Sequence, residues 1–449
     1  MVRKILSKRK IKAFHVPERE IKAVPILERF DGNPILEPQP THWWESKAAF
    51  NPGAIYEQGK VHIVYRAIGD SNVSVLGYAS SIDGFHIDER LDKPIYVPRE
   101  SFEGAGLVYP TESNPQVTYV SAEDEEEEEE DYVSGGGLGG CEDPRLTKID
   151  GRVFMTYVAF DGYSPPRVAL TSIDLDDFLA RNWQWKRPVL ISPPGVVDKN
   201  ACILPEKIKS KYVIFHRIFP DILIDFVDDL DFDGTNRWLK GEFKIRPRAF
   251  YWDSRKVGAG APPIKTRYGW LLIYHGVGER DPSRYKIGAM LLDLKDPVKV
   301  LARLEEPILE PQASYENEGW KTGVIYPCGA VVIKDRLLVY YGGADKVTCV
   351  ASAKLEEFLG RLVGVREAVP SALGASPAAV GITPVTPVKV KRITAYCVKC
   401  RAKREMKNPV AITMKNGRPA IQGICPRCGT KMFRIMKAGK NEHHMLQTL

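Results

Sequence analysis

Acidic and basic side chains that could take part in acid–base chemistry lie close together at a few points of the sequence. Glu142, Asp143 and Arg145 lie in the string GCEDPR, residues 140–145. Pro144 fixes its own φ angle and has no backbone donor, which stiffens the turn that presents Asp143. A carboxylic acid held in such a turn could protonate a leaving group. A simple turn with a local ion pair between Asp143 and Arg145 is the alternative.

Basic residues recur at one position of a repeated pattern. Five segments share a turn residue, a run of apolar or β-branched residues, and an aromatic residue or His six positions on. They are GKVHIVYR (59–66), GRVFMTYV (151–158), SKYVIFHR (210–217), YGWLLIYH (268–275) and DRLLVYYG (335–342). Their last residues are Arg66, Val158, Arg217, His275 and Gly342. If these positions converge, three basic groups meet, which is costly without a bound anion. Each could instead pair with a carboxylate of its own.

These repeats predict an all-β fold, because short runs rich in Val, Ile, Tyr and Phe between turns are typical of buried strands. A period of about 60 residues suits a four-stranded propeller blade. We therefore expect a five-bladed β-propeller over residues 30–366, with an ordinary β-sandwich as the alternative. The hexapeptide PILEPQ occurs at 34–39 and again at 307–312, and we expect it to mark the entrances to the first and fifth blades. One short helix is expected near Leu355–Leu362.

Segments of biased composition divide the chain further. Residues 123–131 are all acidic and 134–140 are mostly glycine, so we expect 121–140 to form a solvated insertion. Residues 367–390 are predicted to be a Pro- and Ala-rich linker. Residues 1–29 form a basic extension and 437–449 a tail. With no apolar run of membrane-spanning length and no signal-peptide pattern, we expect a soluble cytoplasmic protein without a membrane partner. It could form a homo-oligomer.

Two CxxC pairs predict a metal site near the C-terminus. Cys397 and Cys400 are followed by Cys425 and Cys428, and four thiolates so arranged suit a tetrahedral structural Zn²⁺. We therefore expect a small zinc ribbon at residues 391–436. A redox role would need only one CxxC and a thioredoxin-like surround. The other cysteines are predicted to be buried free thiols: Cys141, Cys202, Cys328 and Cys349.

The charge of the chain is unevenly distributed. Residues 389–440 hold 15 of its 64 Lys and Arg residues but only one of its 57 acids. The remainder is therefore net acidic, although the whole chain carries a formal charge of +7. The basic ribbon could bind nucleic acid. A protein-docking site or a merely solvated surface would account for the same charges.

Taken together, the motifs resemble those of glycoside hydrolase family 130, the mannoside phosphorylases and related mannosidases. The resemblance runs in order from about residue 30 to residue 360, outside the acidic insertion and the ribbon. Its strings are FNPG (50–53), YRA (65–67), GCEDPR (140–145), DKN (198–200), LPEK (204–207), HR (216–217), YHG (274–276), YE (315–316) and GGAD (342–345). The family fold is a five-bladed β-propeller, in agreement with the repeats.

This resemblance implies a role for each matching residue. Asp143 would be the general acid. Substrate contacts would come from Asn51, Arg66, Glu316 and Asp345. Inorganic phosphate would be held at Lys199, Asn200, Arg217 and His275. Lys199 stands where many relatives carry Arg, which keeps the charge but loses the bidentate fork.

Three activities are consistent with this pattern. Inverting phosphorolysis of a β-mannoside to α-mannose 1-phosphate needs one acid and a cationic cradle for phosphate. Inverting hydrolysis needs a second carboxylate that activates water, for which Glu316 or Asp345 is the candidate. A non-catalytic sugar-binding propeller, tethered by the ribbon, is the third possibility. Candidate platforms for sugar rings are Trp43, Trp44, Tyr109, Trp252 and Tyr315. We expect the phosphorylase.

Overall fold

The computed structural model of the protein describes residues 26–105, 136–364 and 394–435, the last range with gaps at 398, 401, 414–418 and 429. The chain separates into two compact units, residues 1–368 and 369–449. The acidic run at 123–131, most of the predicted N-terminal extension, the linker and the tail lie outside the described residues. The first strand begins at Glu28, two residues before the predicted start of the propeller at residue 30.

Within the described ranges the first unit is all-β apart from short helices. Its strands are β1 (Glu28–Arg29), β2 (Ala48–Glu57), β3 (Lys60–Ile68), β4 (Val73–Ser81), β5 (Glu89–Arg90), β6 (Gly139–Ile149), β7 (Arg152–Phe160), β8 (Arg167–Asp174), β9 (Val189–Leu190), β10 (Asp198–Ile203), β11 (Tyr212–Ile218), β12 (Asp221–Val227), β13 (Phe243–Ile245), β14 (Lys256–Ala259), β15 (Ile264–Thr266), β16 (Gly269–Gly278), β17 (Asp281–Leu292), β18 (Val300–Arg303), β19 (Ile325–Ile333), β20 (Arg336–Gly343) and β21 (Val347–Lys354). Its α-helices are α1 (Leu175–Leu179) and α2 (Leu355–Leu362), the second as predicted. No helix of the described residues has the length and apolarity needed to cross a membrane.

The strands form five successive antiparallel groups. These are β2–β5, β6–β9, β10–β13, β14–β18, and β19–β21 completed by β1. The first two groups are joined by a short parallel pairing of β4 with β6. Each predicted repeat forms the second long strand of its group, namely β3, β7, β11, β16 and β20. The prediction that the repeats are strands is therefore confirmed.

The N-terminal residues complete the last group. Glu28 pairs with Ser352 on β21, and Leu36 of the first PILEPQ copy pairs with Thr348 on the same strand. In the second copy Leu309 pairs with Ile287 on β17 of the fourth group. The first copy therefore lies at the edge of the fifth group before the chain enters the first group. The second copy lies at the edge of the fourth group before the chain enters the fifth.

Apolar clusters lie between all consecutive groups, including the fifth and the first. In the cluster between the fifth and first groups, Leu338 and Val350 of the fifth group pack with Ile63 and Ala79 of the first. The other four clusters join the first group to the second, the second to the third, the third to the fourth and the fourth to the fifth. The five groups therefore contact one another in a closed order.

The aromatic residue of each repeat has a common partner. In four groups a Tyr hydroxyl donates to a buried carboxylate on the loop that leads into the group: Tyr65 to Glu45, Tyr157 to Glu103, Tyr274 to Asp253 and Tyr341 to Glu316. In the third group His216 lies 2.7 Å from Asp198 and 2.9 Å from Asp225 instead. Burial alone would lower the pKa of His216, but the two carboxylates raise it to about 9. A buried carboxylate requires such partners, so the pair is a recurrent structural element.

The second unit is a small β structure. Its strands are β22 (Thr394–Cys397), β23 (Ala402–Glu405), β24 (Lys407–Thr413), β25 (Pro419–Ile424) and β26 (Lys431–Ile435). They form the sheets β22–β23 and β24–β25–β26. Among the described residues of this unit the buried apolar cluster consists of Ala395, Met406, Ile421, Cys425 and Met432, with Cys400 and Cys428 packed against it.

Candidate functional site

A cavity of about 300 Å³ opens where the first strand of each group begins and its second strand ends. Its walls are Asn51, Arg66, Glu142, Asp143, Lys199, Arg217, Lys256, His275, Tyr285, Lys321, Val324, Tyr326 and Asp345. Seven predicted site residues are among them. In particular, the basic residues that end three of the repeats, Arg66, Arg217 and His275, converge here. The Gly that ends the fifth repeat pairs with Tyr326, another wall residue.

Backbone irregularities direct several side chains into this cavity. The antiparallel pairing is interrupted in β2 between Phe50 and Gly53, in β6 between Glu142 and Arg145, and in β10 between Lys199 and Cys202. Within these bulges the φ angles of Asn51, Asp143 and Asn200 are 50°, 53° and 60°. Asn and Asp tolerate this left-handed conformation better than other residues with a side chain. The strings FNPG, EDPR and KNAC are therefore the same bulge in three groups.

Asp143 is held from two sides. Nδ2 of Asn51 donates to its Oδ1 at 2.8 Å, and Nη1 of Arg66 lies 3.6 Å from the same oxygen. Nη1 of Arg145 donates to the backbone carbonyl of Asp143 at 2.9 Å, and its Nε donates to the carbonyl of Gly260 in the fourth group. The alternative of an Asp143–Arg145 ion pair is wrong, because Arg145 contacts the backbone and leaves the carboxyl group to the cavity.

Two further carboxylates share the wall with Asp143. Glu142 lies 3.1 Å from Nη2 of Arg66 and 3.8 Å from Nζ of Lys199. Asp345, in the turn after β20, also has a left-handed backbone. Burial raises the pKa of Asp345 to about 6, and Asp143 and Glu142 add to this, against the opposing effect of Lys321 and Arg66.

The cavity also holds three cations that form no ion pair with a carboxylate, although Lys321 is close enough to Asp345 to lower its pKa. Among the described residues of the first unit, no carboxylate oxygen lies within 4.0 Å of the charged nitrogens of Arg217, Lys256 or Lys321. Nε of Arg217 donates to Oδ1 of Asn200 at 2.6 Å, and Lys256 donates to the hydroxyl of Tyr285. Burial lowers the pKa of Lys256. Burial would raise the pKa of Tyr285, but the neighbouring lysines bring it below the usual value. Such a concentration of positive charge favours a bound anion.

His275 lies beside these cations and is buried. Burial, Arg217 and Lys256 together hold its pKa well below the usual value, so the ring is neutral near pH 7. Its Nδ1 has no hydrogen-bond partner among the described residues. Gly258 faces the ring so closely that a Cβ there would lie 2.4 Å from Cε1 of His275. At Gly342 a Cβ would lie 2.0 Å from Oδ1 of Asn51, so glycine is required there as well.

Two predicted site residues lie elsewhere. Asn200 is buried behind the wall, where it contacts Arg217 and the hydroxyl of Tyr326. Glu316 is not in the cavity. Its carboxylate is fully buried and accepts hydrogen bonds from Arg29, Tyr341 and the backbone amides of Gln312 and Ala313. It is the fifth group's copy of the buried carboxylate that pairs with Tyr, so its prediction as a substrate-binding residue or base is wrong.

The proposed sugar platforms are also only partly exposed. Trp44 is buried and donates to the carbonyl of Asp92, and Trp252 is half-buried and stacks on Tyr274. Tyr315 is half-buried, Trp43 is exposed, and Tyr109 lies outside the described residues.

Several wall residues were not assigned a role from the sequence. Lys256, Tyr285, Lys321 and Tyr326 belong to the fourth group and to the segment around the start of the fifth. Glu142 was noted only as a neighbour of Asp143. Tyr326 could have been found by aligning YPCG (326–329) with FNPG (50–53), because β19 is interrupted at the equivalent position. The others follow no repeated string.

In the second unit three cysteines converge. The Sγ atoms of Cys400, Cys425 and Cys428 all lie within 4.8 Å of one another, with Cys400 and Cys425 3.9 Å apart. Tetrahedral zinc with Zn–S bonds of about 2.3 Å requires a sulfur–sulfur separation of about 3.8 Å. Cys397 ends β22, but its side chain is outside the described residues. The four cysteines of the first unit are buried free thiols, as predicted.

Comparison with known proteins agrees with this geometry. The family model described as beta-1,4-mannooligosaccharide phosphorylase matches residues 126–362, and a domain of unknown function (DUF5679) matches residues 396–435. The chain is 40% identical to a 1,2-beta-oligomannan phosphorylase of Thermoanaerobacter sp. (strain X514) over 74% of its own length and 98% of that protein. A beta-1,2-mannobiose phosphorylase of the same strain is 38% identical, again over 74% and 98%.

A solved structure shares the fold. The beta-1,2-mannobiose phosphorylase of Listeria innocua, in complex with beta-1,2-mannobiose, superposes with a TM-score of 0.55 at 27% identity, covering 75% of this chain and 99% of that one. The 40% identity over nearly the whole of the Thermoanaerobacter oligomannan phosphorylase, together with the family model over more than half of the sequence, establishes the family. The chain belongs to glycoside hydrolase family 130.

Proposed function

We propose that this protein is an inverting phosphorylase that cleaves β-mannosides with inorganic phosphate and releases α-mannose 1-phosphate. The observation that carries the proposal is the set of three cavity cations, Arg217, Lys256 and Lys321, that have no carboxylate partner in the described part of the unit. A phosphate dianion would compensate these charges, whereas the water of a hydrolase would not. Because both Thermoanaerobacter relatives are named for β-1,2 linkages, we expect β-1,2-mannosides as substrates.

In this proposal Asp143 is the general acid. It protonates the glycosidic oxygen while a phosphate oxygen attacks the anomeric carbon from the opposite face of the ring. The bond from C1 to the oxygen of the leaving sugar breaks as a new bond forms from C1 to a phosphate oxygen. Attack from the opposite face inverts the configuration at C1. The leaving alcohol thereby gains a proton, and hydrogen phosphate loses one on becoming the ester dianion, so the acid is restored. Asn51 and Arg66 hold the carboxyl group in place for this transfer.

Phosphate would lie against Lys199, Arg217, Lys256, Lys321 and His275, with Tyr285 beside them. A neutral His275 can donate one ring N–H to a phosphate oxygen without adding further charge to the wall. Asn200 contributes indirectly, because it orients the guanidinium group of Arg217. Asp345, which lies near Arg66 and Asp143, would bind hydroxyl groups of the sugar at the point of cleavage.

Hydrolysis is the second candidate function, because Asp345 could act as the base that activates water. Its pKa of about 6 suits a general base. The deciding experiment incubates the protein with β-1,2-mannobiose and with β-1,4-mannobiose, in phosphate buffer and in a phosphate-free buffer of equal ionic strength. We expect mannose 1-phosphate and mannose in equal amounts, only where phosphate is present. Two equivalents of mannose, formed equally well without phosphate, would contradict the proposal.

The finer architecture is part of the same proposal. We interpret the five strand groups as the blades of a five-bladed β-propeller, supported by the apolar clusters that join the fifth group to the first. In the second unit Cys400, Cys425 and Cys428, with Cys397, would bind a structural Zn²⁺. Metal analysis should then give one zinc per chain, and less than a tenth of that in Cys425→Ser. Unchanged zinc in this variant would contradict the site. A nucleic-acid or protein partner for this unit, and a cytoplasmic location, stay predictions.

A further inference from the structure

Exposed aromatic side chains lie in the loops at the end of the strands where the cavity opens, at least one in each strand group. We call Trp43, Tyr163, Phe219, Phe250 and Trp320 the aromatic rim. Trp43, Phe250 and Trp320 lie on the loops that lead into β2, β14 and β19, whereas Tyr163 and Phe219 lie in the turns after β7 and β11. All of these segments are at the end of the strands where the cavity opens, because first strands begin there and second strands end there.

These side chains are more exposed than aromatic residues usually are in a folded protein. Their exposed fractions are 39% for Trp43, 82% for Tyr163, 59% for Phe219, 66% for Phe250 and 42% for Trp320. Phe250 in addition has a φ angle of 72°, which is rare and unfavourable for a bulky residue. An arrangement of large apolar groups in water around a site usually marks a binding surface.

The rim is continuous with the cavity. Phe219 follows the wall residue Arg217 by two positions, a distance of at most about 7 Å along the chain. Trp320 directly precedes the wall residue Lys321. The ring of Trp320 is also supported from one side, since a Cβ at Gly136 would lie 1.6 Å from it. Phe219 and Trp320 are therefore the members of the rim that lie nearest in the chain to the cavity walls.

We infer that the aromatic rim binds the outer sugar units of a β-mannan chain, so that the preferred substrates are oligosaccharides of four or more units rather than mannobiose. This inference rests on the proposed function. A cavity of about 300 Å³ that also admits phosphate encloses little beyond the bond to be cleaved. Units on the leaving-group side must extend over the rim. Aromatic rings bury the apolar C–H face of a sugar and leave its hydroxyl groups in water.

The test compares phosphorolysis of β-mannan chains of two to six units. For the unaltered protein we expect kcat/KM to rise with chain length up to at least four units. In Phe219→Ala and Trp320→Ala the ratio of kcat/KM for the hexasaccharide to that for mannobiose should fall about 2- to 12-fold for each ring removed. Tyr56→Ala is the matched control, because Tyr56 is equally exposed, at 40%, at the other end of β2. It should leave the ratio unchanged.

Three outcomes would overturn the inference. One is a kcat/KM that does not depend on chain length in the unaltered protein. Another is a Phe219→Ala or Trp320→Ala variant that keeps the full ratio. The third is a change of molecular mass by light scattering in these variants, which would make the rim a contact between copies of the chain. Failure of the proposed function is distinguishable, because it would appear as absent phosphate-dependent turnover of mannobiose itself.

Discussion

Asn51 and Asp143 come from neighbouring strand groups and meet through their side chains, with Nδ2 of Asn51 2.8 Å from Oδ1 of Asp143. Both residues have left-handed backbones at equivalent bulges. Because Oδ1 already accepts this bond, the remaining oxygen, Oδ2, is the one that can carry a proton towards the cavity. In the proposed mechanism the pairing of two bulges therefore selects the carboxyl oxygen that would act as the acid.

Replacement of this acid should nearly abolish turnover. In Asp143→Asn the side chain keeps its shape but has no proton to transfer, so we expect kcat to fall about 10²- to 10⁴-fold. The measurement is release of mannose 1-phosphate from mannobiose. Binding of mannobiose, followed by calorimetry, should change little. The control is an aryl β-mannoside whose leaving group needs no protonation, for which most of the loss should disappear. An equal loss on both substrates would contradict the role of Asp143 as acid.

Removal of one unpaired cation should weaken phosphate binding selectively. A hydrogen bond from a charged group is worth about 1.5–3 kcal/mol, so Lys256→Gln should raise the KM for phosphate about 10- to 150-fold. The KM for the mannoside should change much less. Lys211→Gln is the matched control, since Lys211 forms a surface ion pair with Asp228 far from the cavity walls. Equal increases in both KM values would argue against a phosphate site at Lys256.

Much of the fold was predictable because the repeats reflect one structural requirement. A strand with Tyr near its end recurs, since that hydroxyl must satisfy a buried carboxylate in each of four groups. The residue after it then faces the cavity, which explains why Arg66, Arg217 and His275 could be identified as convergent. The boundaries of the strands and the role of Glu316 depended on tertiary contacts that no local pattern shows.

The parts of the site that were missed have physical reasons as well. Lys256 and Tyr285 come from strands on either side of β16 and meet only after folding, so neither carries a local signal. Glu316 was misassigned because a buried structural carboxylate and a functional one have the same sequence appearance. Alignment of its loop with those of Glu45, Glu103 and Asp253 would have revealed the repeat.

Asp345→Asn should stabilise the protein in a pH-dependent way. The folded carboxyl group has a pKa of about 6, raised by burial from 3.8. Below pH 3.8 the group is protonated in both states and costs nothing. Between pH 3.8 and about 6 the unfolded state ionises while the folded state stays protonated, so the free energy of unfolding falls by up to about 3 kcal/mol and then levels off above the folded pKa. The neutral amide avoids this loss. Urea unfolding should therefore show stabilisation of Asp345→Asn at pH 7.5 and a much smaller difference at pH 4. Stabilisation of equal size at both pH values would contradict the raised pKa.

Glu316→Gln should show the reverse pattern and so separate structural from catalytic carboxylates. The variant removes the charge that Arg29 pairs with and weakens the bonds from Tyr341 and the loop amides. Arg29 is itself partly solvated, so we expect a loss of about 2–3 kcal/mol in the free energy of unfolding, somewhat less than for a fully buried pair. Because Glu316 lies outside the cavity, kcat and both KM values, measured well below the melting temperature, should remain within about twofold, which corresponds to about 0.4 kcal/mol. If Glu316 were a water-activating base, the Glu316→Gln variant would instead lose most of its turnover with little change in the free energy of unfolding. That result would support Glu316 as the base of a hydrolase.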